Sequence, residues 1–566
     1  MKQRIGSAFV LLALCAANLC AQRLSPDAVQ IAGSARANDK IDVIVQFVSP
    51  PGGQDLAGAN SALPSINGAL FSLNPAAVLA LQRNPRVKYV TPNRTVAQQL
   101  DYATPTVNAN LADAYNWRGA SVGVAVIDSG VNGGHLDLKT DGSCDGNRVV
   151  YSENFVTDGT YGAYGHGTHI AGIIGGTGTC ADPVTRTRTF RGIAPGAKFI
   201  SLRVLNYQGA GTDSGIITAI DRAIALKSTY NIRVMNLSLG RPIWESYTLD
   251  PLCQAVERAW QSGIVVVVSA GNSGRYTTTN GYGTITSPGN DPFVITVGAM
   301  NDKLSVSRAD DVMASYSSKG PTLLDHVVKP DLVAPGNAII SALSPGSTLA
   351  TQYPNNLINR NYYSAGATGT STYYLKLSGT SMAAAVVSGA AAVMIGKTPS
   401  LTPNQVKARL MKTATKTSPL YTAWINPSTG LAQTIQYDLF TVGAGYLDLW
   451  AALNNDDLIS TPLTTPLSRT VSYDSLTGKT SLVAASSLTW GDSLVWGDAL
   501  VWGAQVIVNG SSLVWGDSLV WGDSLVWGDS TNAAFSLVWG DSLANANSLV
   551  WGDSVLANTI MGAGDQ

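Results

Sequence analysis

Three short segments carry side chains whose types and spacing could perform acyl transfer. The first, Val126-Ile127-Asp128-Ser129-Gly130, ends an apolar run on a carboxylate. The second, Gly165-His166-Gly167-Thr168-His169-Ile170-Ala171-Gly172, opens a small-residue run on a histidine and holds two of the chain's four histidines. The third, Gly379-Thr380-Ser381-Met382-Ala383-Ala384-Ala385, leads from a small polar cluster into small apolar residues, as a fully buried helix with a serine in its first turn would. Helix N-termini offer free N–H groups and partial positive charge, which suit an oxygen that becomes negative during reaction. Each segment alone has a plainer explanation. Asp128 could cap a turn or bind a metal, Ser381 could be only an N-cap, and His166 with His169 could hold zinc, although an adjacent glutamate and a third ligand are lacking. Together, aspartate, histidine and serine in that order match one arrangement of a nucleophilic triad. A fourth segment, Val265 to Gly274, delivers Asn272 at the end of a valine run; by itself it would be a turn.

The elements that must position these groups are legible as an alternation. Continuous apolar runs at 122–127, 198–205, 234–239, 264–268 and 294–297 read as strands, and 215–225 reads as one of the helices between them. Strands without polar alternation, separated by helices, predict a mostly parallel α/β sheet covered on both faces. Sites in such sheets lie beyond the carboxyl ends of the strands, where the chemical residues fall.

The rest of the chain divides around this region. At 566 residues it should hold about two to four units. A net charge of −1 gives no reason to expect a nucleic-acid partner. Lys2 and Arg4 precede the apolar stretch Phe9–Ala17, a secretory signal pattern over residues 1–21, too short for a transmembrane anchor, and no later apolar run is expected to reach spanning length. Cys144, Cys180 and Cys253 remain once that segment is removed; Cys144 and Cys180 bracket one loop-rich region and are the expected pair. Residues 22–99 read as a small mixed α/β module, with strands at 41–47 and 87–90 and a helix at 75–82. Beyond about 456 an acidic tail repeats Ser-Leu-Val-Trp-Gly-Asp, its tryptophans separated by multiples of six apart from one spacing of thirteen. Such repeats suit tight hairpins or a β-solenoid that binds a surface, a carbohydrate or itself, or form a tolerated low-complexity extension.

The three motifs, in order and context, resemble those of the subtilases, the subtilisin-like serine endopeptidases, over residues 100–455. The resemblance implies a triad in which His166 takes the Ser381 proton and Asp128 orients the imidazole, with Asn272 and the Ser381 N–H holding an oxyanion. It implies that Gly209-Ala210-Gly211 and Asn236-Leu237-Ser238-Leu239-Gly240 pair with an extended peptide substrate. A P1 pocket follows from Ser238, Leu239 and Gly240, from Ser269, Ala270 and Gly271, and from residues 282–287; none is acidic, which favours broad or apolar P1 residues. His135 and His169 are then structural. The 22–99 module resembles the family's propeptide, an intramolecular inhibitor cut off near residues 94–104. The implied protein is a secreted zymogen acting on protein and peptide substrates, with the tail as a means of attachment to a cell surface or of self-association. No cofactor is needed for the chemistry; family members often bind structural calcium, but no acidic loop here names its ligands. Where the family's serine motif continues with Pro and His, this chain has Ala385 and Val386. Rival readings are a catalytically dead binding protein, a tail-centred adhesion protein, and a lipase-like hydrolase, whose elbow would need a second glycine at Ala383.

Overall fold

A computed structural model describes residues 23–93, 95–98, 105–158, 164–181, 188–416, 419, 421–425, 432–474 and 479–482, with 507–508, 511–512 and 565. The signal segment and most of the repeat tail lie outside the described residues. The chain forms two compact units, Met1–Asn93 and Arg94–Gln566.

In the first unit, a four-stranded antiparallel sheet in the order β2-β3-β1-β4 is built from β1 (Ile41–Phe47), β2 (Ser61–Leu63), β3 (Gly68–Leu73) and β4 (Val87–Pro92). Helices α1 (Pro26–Ser34) and α2 (Pro75–Ala80) each begin at a proline and are capped by a side-chain oxygen, from Ser25 and Asn74 respectively. Val43, Val45, Phe47, Val78, Val87 and Val90 close the core between them.

The second unit is organised by a mostly parallel sheet. Its inner strands are β6 (Gly123–Asp128), β8 (Lys198–Arg203), β10 (Ile232–Leu237), β12 (Val265–Ser269) and β13 (Ile295–Asn301), with β7 (Val149–Asn154) on one edge. The order is β14-β13-β12-β10-β6-β8-β7; β14 (Val312–Met313) pairs antiparallel with Met300 and Asn301 of β13, and β15 (Leu332–Pro335) pairs parallel with Val297 to Met300 along the opposite edge of that strand. The inner strands β6, β8, β10, β12 and β13 are buried almost throughout, so both faces need cover. Helix α3 (His166–Gly175) lies beside α6 (Thr380–Lys397), and α6 runs over β10, β12 and β13. Helices α4 (Asp213–Tyr230) and α5 (Pro251–Gln261) pack together against β10 and β12 from the other side. This is the mostly parallel α/β architecture that the apolar runs predict.

One expectation is corrected. Among the described residues, α6 is long and apolar enough to cross a membrane by length and composition alone, contrary to the expectation of no such run after the signal. Its burial within the unit explains the composition: Thr380 to Ile395 are all buried, and a helix walled in on every side has no polar face. Ala385 and Val386, the departures from the family motif, are two of these interior positions. Cys144 and Cys180 form a disulfide, and Cys253 is a buried free thiol.

The close approach of α3 and α6 depends on Gly389. A β-carbon there would lie 2.6 Å from Ile193 Cβ and 3.0 Å from the Ile174 carbonyl oxygen. Gly389→Val should therefore lower stability by about 1–3 kcal/mol, read from the denaturant midpoint of chain carrying Ser381→Ala to prevent self-digestion.

Candidate active site

Strand β6 ends on Asp128, which is fully buried. Its Oδ1 accepts the Ser129 N–H at 2.6 Å, and Nδ1 of His166 lies 2.7 Å from Oδ2 and 2.8 Å from Oδ1. A carboxylate accepts only, so Nδ1 carries the proton and donates it. The other ring nitrogen of the neutral tautomer, Nε2, then holds the lone pair. His166 is the first residue of α3, brought close by Gly167: a β-carbon there would sit 2.6 Å from the Gly130 carbonyl oxygen. The Gly167 N–H is received by the Ser129 hydroxyl at 3.0 Å, fastening the helix start to the strand end.

Ser381 is the second residue of α6, so its N–H is among those with no acceptor inside the helix. Its hydroxyl donates to the Ser238 carbonyl oxygen at 3.3 Å, just beyond the end of β10. Strands β6 and β10 are neighbours, with Val126 opposite Asn236, so Asp128, His166 and Ser381 gather at one carboxyl edge of the sheet. Beneath the serine, the Ser238 hydroxyl lies 2.7 Å from the Ser381 carbonyl oxygen and 2.9 Å from Asn236 Oδ1, while Asn236 Nδ2 donates to Ser388 at 3.0 Å.

Asn272 follows β12. Its Oδ1 accepts both the N–H of Thr380, at 2.9 Å, and the Thr380 hydroxyl, at 3.1 Å. That commitment leaves the amide NH2 as the donor end. The Thr380 hydroxyl also receives the Gly271 N–H at 3.1 Å. Thr380 therefore ties the Asn272 loop to the start of the serine helix. Its role is not evident in the sequence, where it is one of many small polar residues preceding a helix.

The segments expected to hold substrate lie on either side of an extended stretch of the chain itself. Strand β5 (Thr95–Gln98) runs antiparallel between β9 (Ala210–Thr212) and β11 (Leu239–Gly240). Val96 faces Gly211, Ala97 faces both Ala210 and Gly240, and Gln98 faces Leu239. Gly209 forms the turn before β9, its N–H donating to the Asn206 carbonyl at 3.0 Å. The two flanking strands are joined below by a buried ion pair: Arg241, next to Gly240, donates to Asp213, next to Thr212, at 3.0 Å and to Asp250 at 2.7 Å. Ala270 and Gly271 lie near the 284–287 segment. Ala270 accepts the Thr286 N–H at 3.1 Å, and a β-carbon on Gly240 would meet the Thr286 hydroxyl at 2.4 Å, so residues from all three expected pocket segments converge.

The other histidines of the motif region are built into the fold. His169 is fully buried with Nε2 3.1 Å from the Leu375 carbonyl, and burial pushes its pKa down to about 3. His135 Nε2 lies 2.8 Å from the Tyr373 carbonyl, and its pKa is likewise lowered by burial. Among the described residues, no group of three or more His, Cys, Asp and Glu is placed to hold a metal ion.

Residues 119–445 match the Subtilase family. The chain is 35% identical over 365 residues to serine protease AprX of Bacillus subtilis (strain 168), covering 63% of this chain and 75% of that protein. It is 34% identical over 319 residues to subtilisin DY of Bacillus licheniformis, covering 56% of this chain and 93% of the relative. Among solved structures, fervidolysin from Fervidobacterium pennivorans, described as a keratinolytic enzyme related to subtilisin, shares the fold with a TM-score of 0.53 at 21% identity, over 76% of this chain and 63% of that one.

If Thr380 holds Asn272 in place, Thr380→Val removes one of the two hydrogen bonds to Oδ1 and leaves the Gly271 N–H unpaired. Turnover number on a peptide substrate should fall about tenfold, with KM little changed.

Proposed function

The chain belongs to the subtilase family, and on that premise we propose that it is a secreted serine endopeptidase, made as a zymogen, whose triad is Asp128, His166 and Ser381. The observation that carries this reading is the fully buried hydrogen bond from His166 Nδ1 to Asp128, beside a serine at a helix N-terminus. With Nδ1 protonated, Nε2 takes the Ser381 proton as Oγ attacks the scissile carbonyl, and the Asp128 carboxylate offsets the resulting imidazolium. The carbonyl oxygen becomes an oxyanion, held by the Ser381 N–H and the Asn272 amide. Collapse of the tetrahedral intermediate breaks the C–N bond, and the proton on Nε2 passes to the departing amine. Water, deprotonated by the same nitrogen, then releases the acyl group and restores the serine. No cofactor enters these steps.

The position of β5 supports the zymogen reading. An extended chain between β9 and β11 is the geometry of a bound peptide, added as a strand. Its last residue, Gln98, faces Leu239, next to the Ser238 carbonyl that receives the Ser381 hydroxyl. Self-cleavage is accordingly expected within two residues after Gln98, releasing the 22–99 module as an inhibitor. The Cys144–Cys180 disulfide supports export to an oxidising compartment, as the signal pattern requires. Gly240, Ala270 and Thr286, which converge at the expected P1 pocket, carry no charge and favour apolar or small P1 side chains.

N-terminal sequencing of the secreted product, with casein hydrolysis in parallel, tests this reading. Wild type should begin between residues 99 and 101 and digest casein. Ser381→Ala should retain residues 22–99 and keep about one millionth of the turnover. Identical processing in both, with no hydrolysis in either, would sink the proposal. A separate check concerns the oxyanion donor: Asn272→Leu should lower kcat about 10²- to 10³-fold with KM nearly unchanged.

A further inference from the structure

Asp565 lies 250 residues beyond Ser315, yet the two are hydrogen-bonded. The Ser315 N–H donates to one carboxylate oxygen of Asp565 at 2.7 Å. The Arg275 guanidinium reaches the other oxygen at 2.6 Å, and the Ser315 hydroxyl reaches it at 2.5 Å. Asn337 reads the backbone as well: its Oδ1 accepts the Asp565 N–H at 2.8 Å and its Nδ2 donates to the Asp565 carbonyl at 2.9 Å. Both carboxylate oxygens and both backbone polar groups of one residue are thus matched. The receiving side is built for the purpose. Arg275 Nε bonds the Ser315 hydroxyl at 2.8 Å, its guanidinium carbon lies 5.2 Å from the Trp424 ring centre and 5.9 Å from that of Tyr316, and its side chain is only 7% exposed.

The sequence supplies a second, independent observation. Asp565 follows Gly564 and lies twelve residues after Asp553, which lies twelve after Asp541, so it keeps the phase of the Trp-Gly-Asp repeats. We propose that Arg275, Ser315 and Asn337 form a recognition site for an aspartate of the repeat tail itself, with Asp565 as its occupant. The tail is then fixed at two points, because at its near end Val471 donates to the His326 carbonyl at 3.0 Å. The anchor also borders the proposed catalytic groups. Arg275 is three residues beyond Asn272, and Gly336, next to Asn337, accepts the Gly379 N–H at 2.9 Å.

Hydrogen–deuterium exchange on the full chain carrying Ser381→Ala tests the anchor directly. The Asp565 amide should exchange at least about tenfold more slowly than an open-chain amide, independently of protein concentration. Asp565→Ala, a change that leaves the domain core untouched, and Arg275→Gln should each restore open-chain exchange at residue 565. Open-chain exchange in the parent, or protection that survives both substitutions, would overturn the site. Protection that disappears on dilution would overturn the assignment of the occupant, since Asp565 would then come from a second copy.

Discussion

The buried hydrogen bond between His166 and Asp128 is the constraint around which the second unit is arranged. A carboxylate removed from water is costly unless its lone pairs are satisfied. Here the Ser129 N–H and the imidazole N–H provide that satisfaction, with both side chains fully buried. The arrangement requires a strand that ends on the aspartate and a helix that begins on the histidine. It also requires enough closeness between them for Gly167 to face the Gly130 carbonyl with no β-carbon intervening. The parallel sheet meets these demands because its carboxyl ends lie side by side, and the serine reaches the same edge from α6.

Around that pair, the remaining parts are fixed to one another more than to solvent. Thr380 joins the Asn272 loop to the serine helix, and Arg241 with Asp213 joins the two strands that flank β5. Losing one partner of such a buried ion pair typically costs about 3–5 kcal/mol, so the spacing of those strands is held firmly. A cleft of fixed width between two strand edges suits an extended peptide of varied sequence, because main-chain hydrogen bonds supply most of the grip.

Much of this is legible in the sequence, and the reasons are local. Buried parallel strands such as Val265–Ser269 have no polar alternation, and Asp128 and Asn272 stand out because they end apolar runs. The run of small apolar residues in α6 likewise sets Ser381 apart, since a serine heading such a run sits at the start of a buried helix. What stays hidden depends on contacts between distant residues. Thr380 gains its role from Asn272, over a hundred residues earlier, and Arg241 gains its role from Asp213 and Asp250. For Asp565 the sequence shows only that it keeps the phase of the repeats; its partners Arg275, Ser315 and Asn337 have no common pattern in sequence. The membrane-spanning expectation fails for α6 because burial inside a fold and burial in lipid select the same residues.

The most direct test of the central claim is mass-spectrometric mapping of the adduct formed with a fluorophosphonate on the processed protein. The account predicts a single phosphonylated residue, Ser381, with labelling abolished by His166→Ala and sharply slowed by Asp128→Asn. Labelling at another serine, or labelling of Ser381 at an unchanged rate without His166, would contradict it.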